Sequence, residues 1–235
     1  MKKLLFIINP MAGRQQAQTD LYKMVKIFAD HDYEVTVYPT RARLDCTRKV
    51  LEDAGRFDLV VCCGGDGTLN EMVSGMMQRQ DRRPMGYIPL GSTNDLAVSL
   101  RLPTRVEEAA LRAVTGNEFH MDVGTLNDRY FNYIAAFGAF TETSYATPQE
   151  IKNALGHLAY ILEGVKSLGK ILPIHVKITA DDEQFEEDYL FGAVTNTISL
   201  GGVLKLDPEK VLLDDGMYEL LLVKNPTNAL EAQAM

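Results

Sequence analysis

The sequence predicts an α/β chain, with a three-layer, parallel-sheet domain over residues 1–122 and a mainly antiparallel second domain over residues 123–235. Two observations carry this. The first half alternates short apolar runs with helical patterns, which pairs strands in parallel and puts helices on both faces. Beyond Asp122 the runs become longer and β-like with one clear helix among them, which points to antiparallel pairing. A length of 235 residues with 46% hydrophobic and 24% charged residues is enough for one or two such domains.

In chain order, the expected elements begin with a strand at Leu4–Ile8, a helix at Asp20–Asp30, a strand at Glu34–Tyr38 and a helix at Thr47–Ala54. A strand at Leu59–Cys63, a helix at Thr68–Gln78 and a strand at Met85–Ile88 complete the first set. The second half offers strands at Tyr130–Ala136, Ile174–Thr179, Tyr189–Asn196 and Tyr218–Val223. Its one helix spans Pro148–Leu168, where Ile151, Leu155, Leu158, Leu162 and Val165 make a single apolar stripe.

The opening MKKLLFIINPMAG has two lysines before an apolar run, as a signal peptide would. That run ends after five residues in Asn-Pro, with no small-residue cleavage site, so it reads as the first buried strand. No apolar stretch approaches ~18 residues, so no bilayer-spanning helix is expected and the chain is assigned to the cytoplasm. A formal net charge of -8 gives no global attraction to nucleic acid or to an anionic membrane, so nucleic acid is excluded as a partner and membrane contact must come from local patches. Cys46, Cys62 and Cys63 lack metal-site spacing and are expected to be buried and inert.

The segment Gly64-Gly65-Asp66-Gly67-Thr68 follows an apolar strand and opens a helix. Glycines let backbone amides approach a polyphosphate, and a helix N-terminus adds partial positive charge. Asp66 repels bare phosphate, so it fits only with a cation between them, and Mg2+ carried by ATP is the natural one. A glycine turn with an Asp/Thr helix cap would satisfy the same residues. Two further loops favour the phosphate reading: Asn9-Pro10-Met11-Ala12-Gly13 after the first strand and Gly91-Ser92-Thr93-Asn94-Asp95 after Met85–Ile88. In an open parallel sheet such loops converge at the carboxyl ends of neighbouring strands. Neither a Walker A sequence nor G-x-G-x-x-G occurs.

These motifs, N-P-x-x-G at Asn9–Gly13, G-G-D-G-T at Gly64–Thr68 followed by Asn70-Glu71, and G-S-T-N-D-L-A at Gly91–Ala97, resemble the nucleotide-site motifs of the diacylglycerol kinase catalytic-domain family. That family includes bacterial soluble diacylglycerol and other lipid kinases and is related to sphingosine and ceramide kinases. The resemblance continues through Asp122-Val123-Gly124, Arg129-Tyr130-Phe131, Gly156–Tyr160 and the run from Gly201-Gly202 to Asp215-Gly216. It implies an α/β domain plus a β-sandwich, ATP and Mg2+ as cofactors, and a lipid alcohol such as diacylglycerol as acceptor. It implies an ATP site made by Asn9, Pro10, Gly13, Thr40, Gly64, Gly65, Asp66, Gly67, Thr68, Leu69, Asn70 and Thr93, with Asp66 on Mg2+. It also implies a structural Mg2+ at Leu212, Asp215 and Met217, where Leu and Met would offer only backbone carbonyls; a plain Asp-Gly hairpin turn fits that segment equally well.

One feature departs from the family pattern. The family's catalytic base is the Asp of a downstream D-G-E, and no D-G-E occurs in the 235 residues; Asp215-Gly216-Met217 matches a different motif. The expectation is a C-terminally truncated kinase of weak or absent activity. Two alternatives stay open: an NAD kinase-like enzyme, which would share G-G-D-G-T, and a nucleotide- or lipid-binding protein without turnover. The helix Pro148–Leu168, with Lys152, Lys166 and nearby Lys170, would line an apolar acceptor pocket and touch anionic head groups transiently, although a core helix with solvated lysines is the favoured reading. The acidic run Asp181–Asp188 is expected between strands, facing away from membrane. A sheet edge left open would invite a homodimer.

Overall fold

The computed structural model describes residues 1–138, 172–202 and 204–225. The expected helix Pro148–Leu168, its lysines and the resembling segment Gly156–Tyr160 lie outside the described residues, as do residues 226–235. The chain separates into two compact units, Met1–Tyr133 and Ile134–Met235.

In the first unit, β1 (Lys2–Ile8) is followed by the short α1 (Gln16–Thr19), α2 (Leu21–Asp30), β2 (Tyr33–Pro39), α3 (Asp45–Asp53), β3 (Leu59–Gly64), α4 (Asp66–Met77) and β4 (Met85–Pro89). Two helices then follow, α5 (Asp95–Ser99) and α6 (Val106–Thr115), and a small antiparallel hairpin of β5 (Gly124–Leu126) and β6 (Arg129–Phe131) closes the unit. The strands form one parallel sheet in the order β2-β1-β3-β4.

Central position explains the unbroken apolar runs. β1 lies between β2 and β3, and Leu4 to Ile8 are all buried. Alternate side chains enter two different cores, since successive Cβ atoms point to opposite faces. Leu4, Phe6 and Ile8 pack with Met24 and Phe28 of α2 and Ala109 and Ala110 of α6. Leu5 and Ile7 pack with Val50 of α3, Met72 and Met76 of α4, and Leu96 of α5. Phe6 and Phe28 meet edge to face at 5.2 Å. Each such side chain removed from water contributes roughly 1.5–3 kcal/mol before entropy is counted. Three layers result, as the alternating pattern predicts. The three cysteines are free and buried, and burial pushes the Cys63 thiol up to about 12, which leaves it inert at neutral pH.

The second unit is antiparallel: β7 (Ile134–Gly138), β8 (Ile174–Ala180), β9 (Glu183–Thr195), β10 (Ser199–Leu200), β11 (Leu204–Lys205) and β12 (Glu219–Lys224). Among the described residues, β9 carries β12 along one edge, while β7 and β8 pair with successive stretches of β9 along the other. β10 and β11 form a separate ribbon.

Three boundaries differ from expectation. The run Tyr130–Ala136 is two strands, because the chain leaves extended pairing at Asn132-Tyr133. The acidic run lies within the β8–β9 hairpin: Asp181, at φ 50, sits in its turn, and Glu183 onward already belongs to β9. Its charges are tolerated because Glu186 faces Lys177 at 3.6 Å, Asp188 faces His175 at 2.9 Å and Glu187 faces Lys224 at 2.6 Å, all at the surface. The helices α1, α5 and α6 were not expected.

Candidate active site

Register places the three glycine-bearing loops at one end of the first sheet. Ile8 stands level with Cys63 of β3 and with Pro39 of β2, while Gly64 stands level with Pro89 of β4. The loops leaving β1, β3 and β4 therefore start side by side. Hydrogen bonds tie them together: Asn9 N–H donates to Cys63 O at 2.9 Å and Leu90 N–H to Gly64 O at 2.7 Å. Thr40, leaving β2, donates its N–H to Ile8 O at 2.9 Å, which sets it beside the same edge.

Asn9 is fixed at both ends of its amide. Its Oδ1 accepts the Met11 N–H at 3.0 Å, and its Nδ2 donates to Thr68 Oγ1 at 3.4 Å, which links the first loop to α4. Gly13 has φ +60, a left-handed turn that favours glycine.

The other two loops touch backbone to backbone. A Cβ on Gly65 would lie 3.1 Å from Gly91 Cα, and one on Gly64 would lie 2.4 Å from Thr68 Oγ1. Gly67 differs, because nothing stands within 4 Å of where its Cβ would be. It is exposed in the first turn of α4, where unpaired amides and the positive end of the helix dipole meet solvent.

Asp66, the first residue of α4, is partly buried. Thr93 donates its hydroxyl to Asp66 Oδ2 at 3.3 Å, while Oδ1 is buried without a partner. Burial, and then the neighbouring Asp95 carboxylate, raise the Asp66 pKa, against the pull of the Asp95 and Leu96 backbone N–H groups and of Thr93. A carboxylate held beside another one, with an orphaned oxygen, is suited to a hard cation.

Behind the loops, Asn94 sits at φ 53 and closes the third loop on itself, accepting the Gly91 N–H at 2.7 Å and donating to Gly91 O at 2.9 Å. Tyr87 bonds Asn94 Oδ1 at 3.1 Å and Gly64 O at 3.3 Å, so one phenol ties the second loop to the third. Tyr133 lies in electrostatic range of Asp66 and Asp95; burial first, then those charges, raise its pKa. Tyr87 and Tyr133 carried no sequence signal, since their roles depend on where the sheet brings them.

The structure thus brings together Asn9, Thr40, Gly64, Gly65, Asp66, Thr68 and Thr93 of the expected set. Asn70 lies one helical turn beyond Asp66 with its Oδ1 buried and unpartnered. The Leu69 side chain is 5% exposed inside the core, and its N–H is used by Gly65 O, while Pro10 O accepts from Gln18. Glu71, next in the motif, caps α3: Oε1 accepts the Leu44 N–H at 2.8 Å and Oε2 the Cys46 N–H at 3.3 Å. Leu212, Asp215 and Met217 belong to the second unit. There Asp215 Oδ1 accepts the Met217 N–H at 2.9 Å, and the Leu212 and Met217 side chains are exposed.

The sequence profile of the diacylglycerol kinase catalytic domain matches residues 3–126. The chain is 37% identical over 226 residues to a diacylglycerol kinase of Bacillus subtilis (strain 168), covering 95% of this chain and 74% of that protein. It is 32% identical over 224 residues to the diacylglycerol kinase of Staphylococcus saprophyticus, covering 95% and 73%. A crystal structure of a diacylglycerol kinase from Bacillus anthracis str. Sterne is similar with a TM-score of 0.77 at 28% identity, covering 99% of this chain and 76% of that one.

Proposed function

Since this chain belongs to the diacylglycerol kinase catalytic-domain family, we propose that it is a lipid kinase whose first unit binds ATP with Mg2+ and directs the γ-phosphate to the hydroxyl of diacylglycerol, giving phosphatidic acid. The observation that carries the nucleotide part is Asp66, a partly buried carboxylate with an unpartnered oxygen at the N-terminus of α4, where the loops from β1, β3 and β4 meet.

In this reading the first-turn amides of α4 and the Gly64-Gly65 backbone receive phosphate oxygens, and Asn9 and Thr40 border the nucleotide. Asp66 holds Mg2+, which neutralises phosphate charge during transfer. The Thr93 hydroxyl, now on Asp66, is placed to follow that cation or a phosphate oxygen. Asp215, with the carbonyls of Leu212 and Met217, holds a second, structural Mg2+. The acceptor hydroxyl must lose a proton, and none of these residues is assigned to take it. A lipid acceptor sets the work at a bilayer surface; among the described residues no helix is long and apolar enough to cross one.

The test is transfer of labelled γ-phosphate from ATP to diacylglycerol in mixed micelles, with NAD as a second acceptor and Mg·ATP binding measured in parallel. It is run on this chain and on a version continued with the C-terminal part of the Bacillus subtilis relative. Phosphatidic acid from either protein supports the proposal. Phosphorylation of NAD alone overturns it in favour of a small-molecule kinase, and Mg·ATP binding without transfer in both overturns it in favour of a nucleotide-binding protein.

A further inference from the structure

Tyr87 stands in the middle of β4, and its ring belongs to the core that holds Leu5, Ile7, Met72 and Leu96. The residue is 7% exposed. Phenylalanine would fill such a position as well, so the hydroxyl is the part that needs a reason. A buried phenol keeps its place only with a hydrogen-bond partner.

The hydroxyl lies 3.1 Å from Asn94 Oδ1 and 3.3 Å from Gly64 O. Its one proton serves one of these acceptors at a time. Neither acceptor depends on it, because Asn94 Oδ1 already takes the Gly91 N–H at 2.7 Å and Gly64 O takes the Leu90 N–H at 2.7 Å. The phenol therefore rescues no orphan; what it does is span the second and third loops. On the third-loop side it meets Asn94, left-handed at φ 53, and the residue before it, Thr93, gives its hydroxyl to Asp66 Oδ2 at 3.3 Å. Asp66 lies two residues beyond Gly64, so Tyr87, Asn94, Thr93, Asp66 and Gly64 close a ring that starts and ends at the phenol.

We propose that Tyr87 is a positioning residue for the nucleotide site. By bracing Asn94 against Gly64, its hydroxyl sets where the Thr93 hydroxyl meets the Asp66 carboxylate, and so how a cation and a phosphate oxygen are received together. Tyr87 acts through Asn94 and Thr93, from inside the core. The inference rests on the Mg·ATP reading of the first unit and on no particular acceptor.

The experiment measures Mg·ATP affinity by calorimetric titration for the wild type, Y87F, T93V and the double variant, each at a temperature where its melting curve shows it folded. Y87F keeps the ring and orphans no acceptor, so its unfolding temperature should fall by no more than about 4 °C. Its Mg·ATP affinity should fall about three- to tenfold, the scale of one hydrogen bond. In the T93V background the same change should cost about twofold at most, because the group that Tyr87 positions is already gone. Unchanged affinity in Y87F, or an equal loss with and without the Thr93 hydroxyl, overturns the proposal and leaves the nucleotide reading standing. A wild type that binds no Mg·ATP removes the nucleotide reading itself, and the proposal with it.

Discussion

Gly91 and Gly65 stand so close that a Cβ on Gly91 would lie 2.6 Å from the Gly65 Cα. The obstacle is backbone, which cannot rotate away as a side chain can. Gly91→Ala is therefore expected to cost about 1–3 kcal/mol, the scale of overpacking, and to weaken ATP binding as the two loops are forced apart. Thermal unfolding and calorimetric titration with Mg·ATP check both halves.

Gly67→Ala separates fold from function at the same site. The position is open and helical, so alanine is expected to leave stability unchanged or raise it by up to about 1 kcal/mol. The added methyl would occupy the space in front of the α4 amides, and ATP affinity should fall severalfold. Unaltered affinity would remove the first turn of α4 from the phosphate site.

Asp66 makes stability depend on pH and on cation with opposite signs. Its folded-state pKa is raised, so the folded protein binds the proton more tightly than the unfolded chain does. Stability is then lost as pH rises from the ordinary carboxylate range through the raised value, and the penalty remains in full above it. In chelator at neutral pH, Asp66→Asn should unfold at a higher temperature than wild type. With Mg·ATP present the order should reverse, since only the carboxylate gains from the metal. Melting curves at pH 4 and pH 7.5, with and without Mg·ATP, give both comparisons.

Glu71 follows the nucleotide motif but serves α3. Glu71→Ala removes the acceptor for two amides at that helix's N-terminus and is expected to cost about 1–2 kcal/mol, as loss of an N-cap does. ATP affinity at a temperature where the variant is folded should be retained. A loss of affinity larger than the loss of stability would place Glu71 in the site.

Apart from the one-turn α1, the first unit was legible as far as Pro89, because the buried strands β1 and β3 read as unbroken apolar runs, the edge strand β2 alternates, and the helices between them show their stripes. α5 was not, since five residues opened by a left-handed Asn94 present no period. α6 does carry signals, with Glu107 and Glu108 in its first turn, buried Val106, Ala109 and Ala110, and Gly116 beyond its end, but alanines make a faint stripe. β9 starts six residues before the expected Tyr189, because a surface strand keeps its glutamates when cations stand opposite. At the site, glycine loops after strands announced themselves. Tyr87 and the capping role of Glu71 did not, because each depends on a partner that only the folded sheet brings near.

The strand order β2-β1-β3-β4 has a consequence for synthesis. Every strand of the parallel sheet, and every loop that borders the proposed phosphate site, has been made by the time Asp95 leaves the ribosome. At about 5–20 residues per second, the second unit follows many seconds later. The sheet waits for no strand from downstream, so a nascent chain can form its parallel layer before the antiparallel unit exists, and binding at the proposed ATP site would stabilise it during that interval.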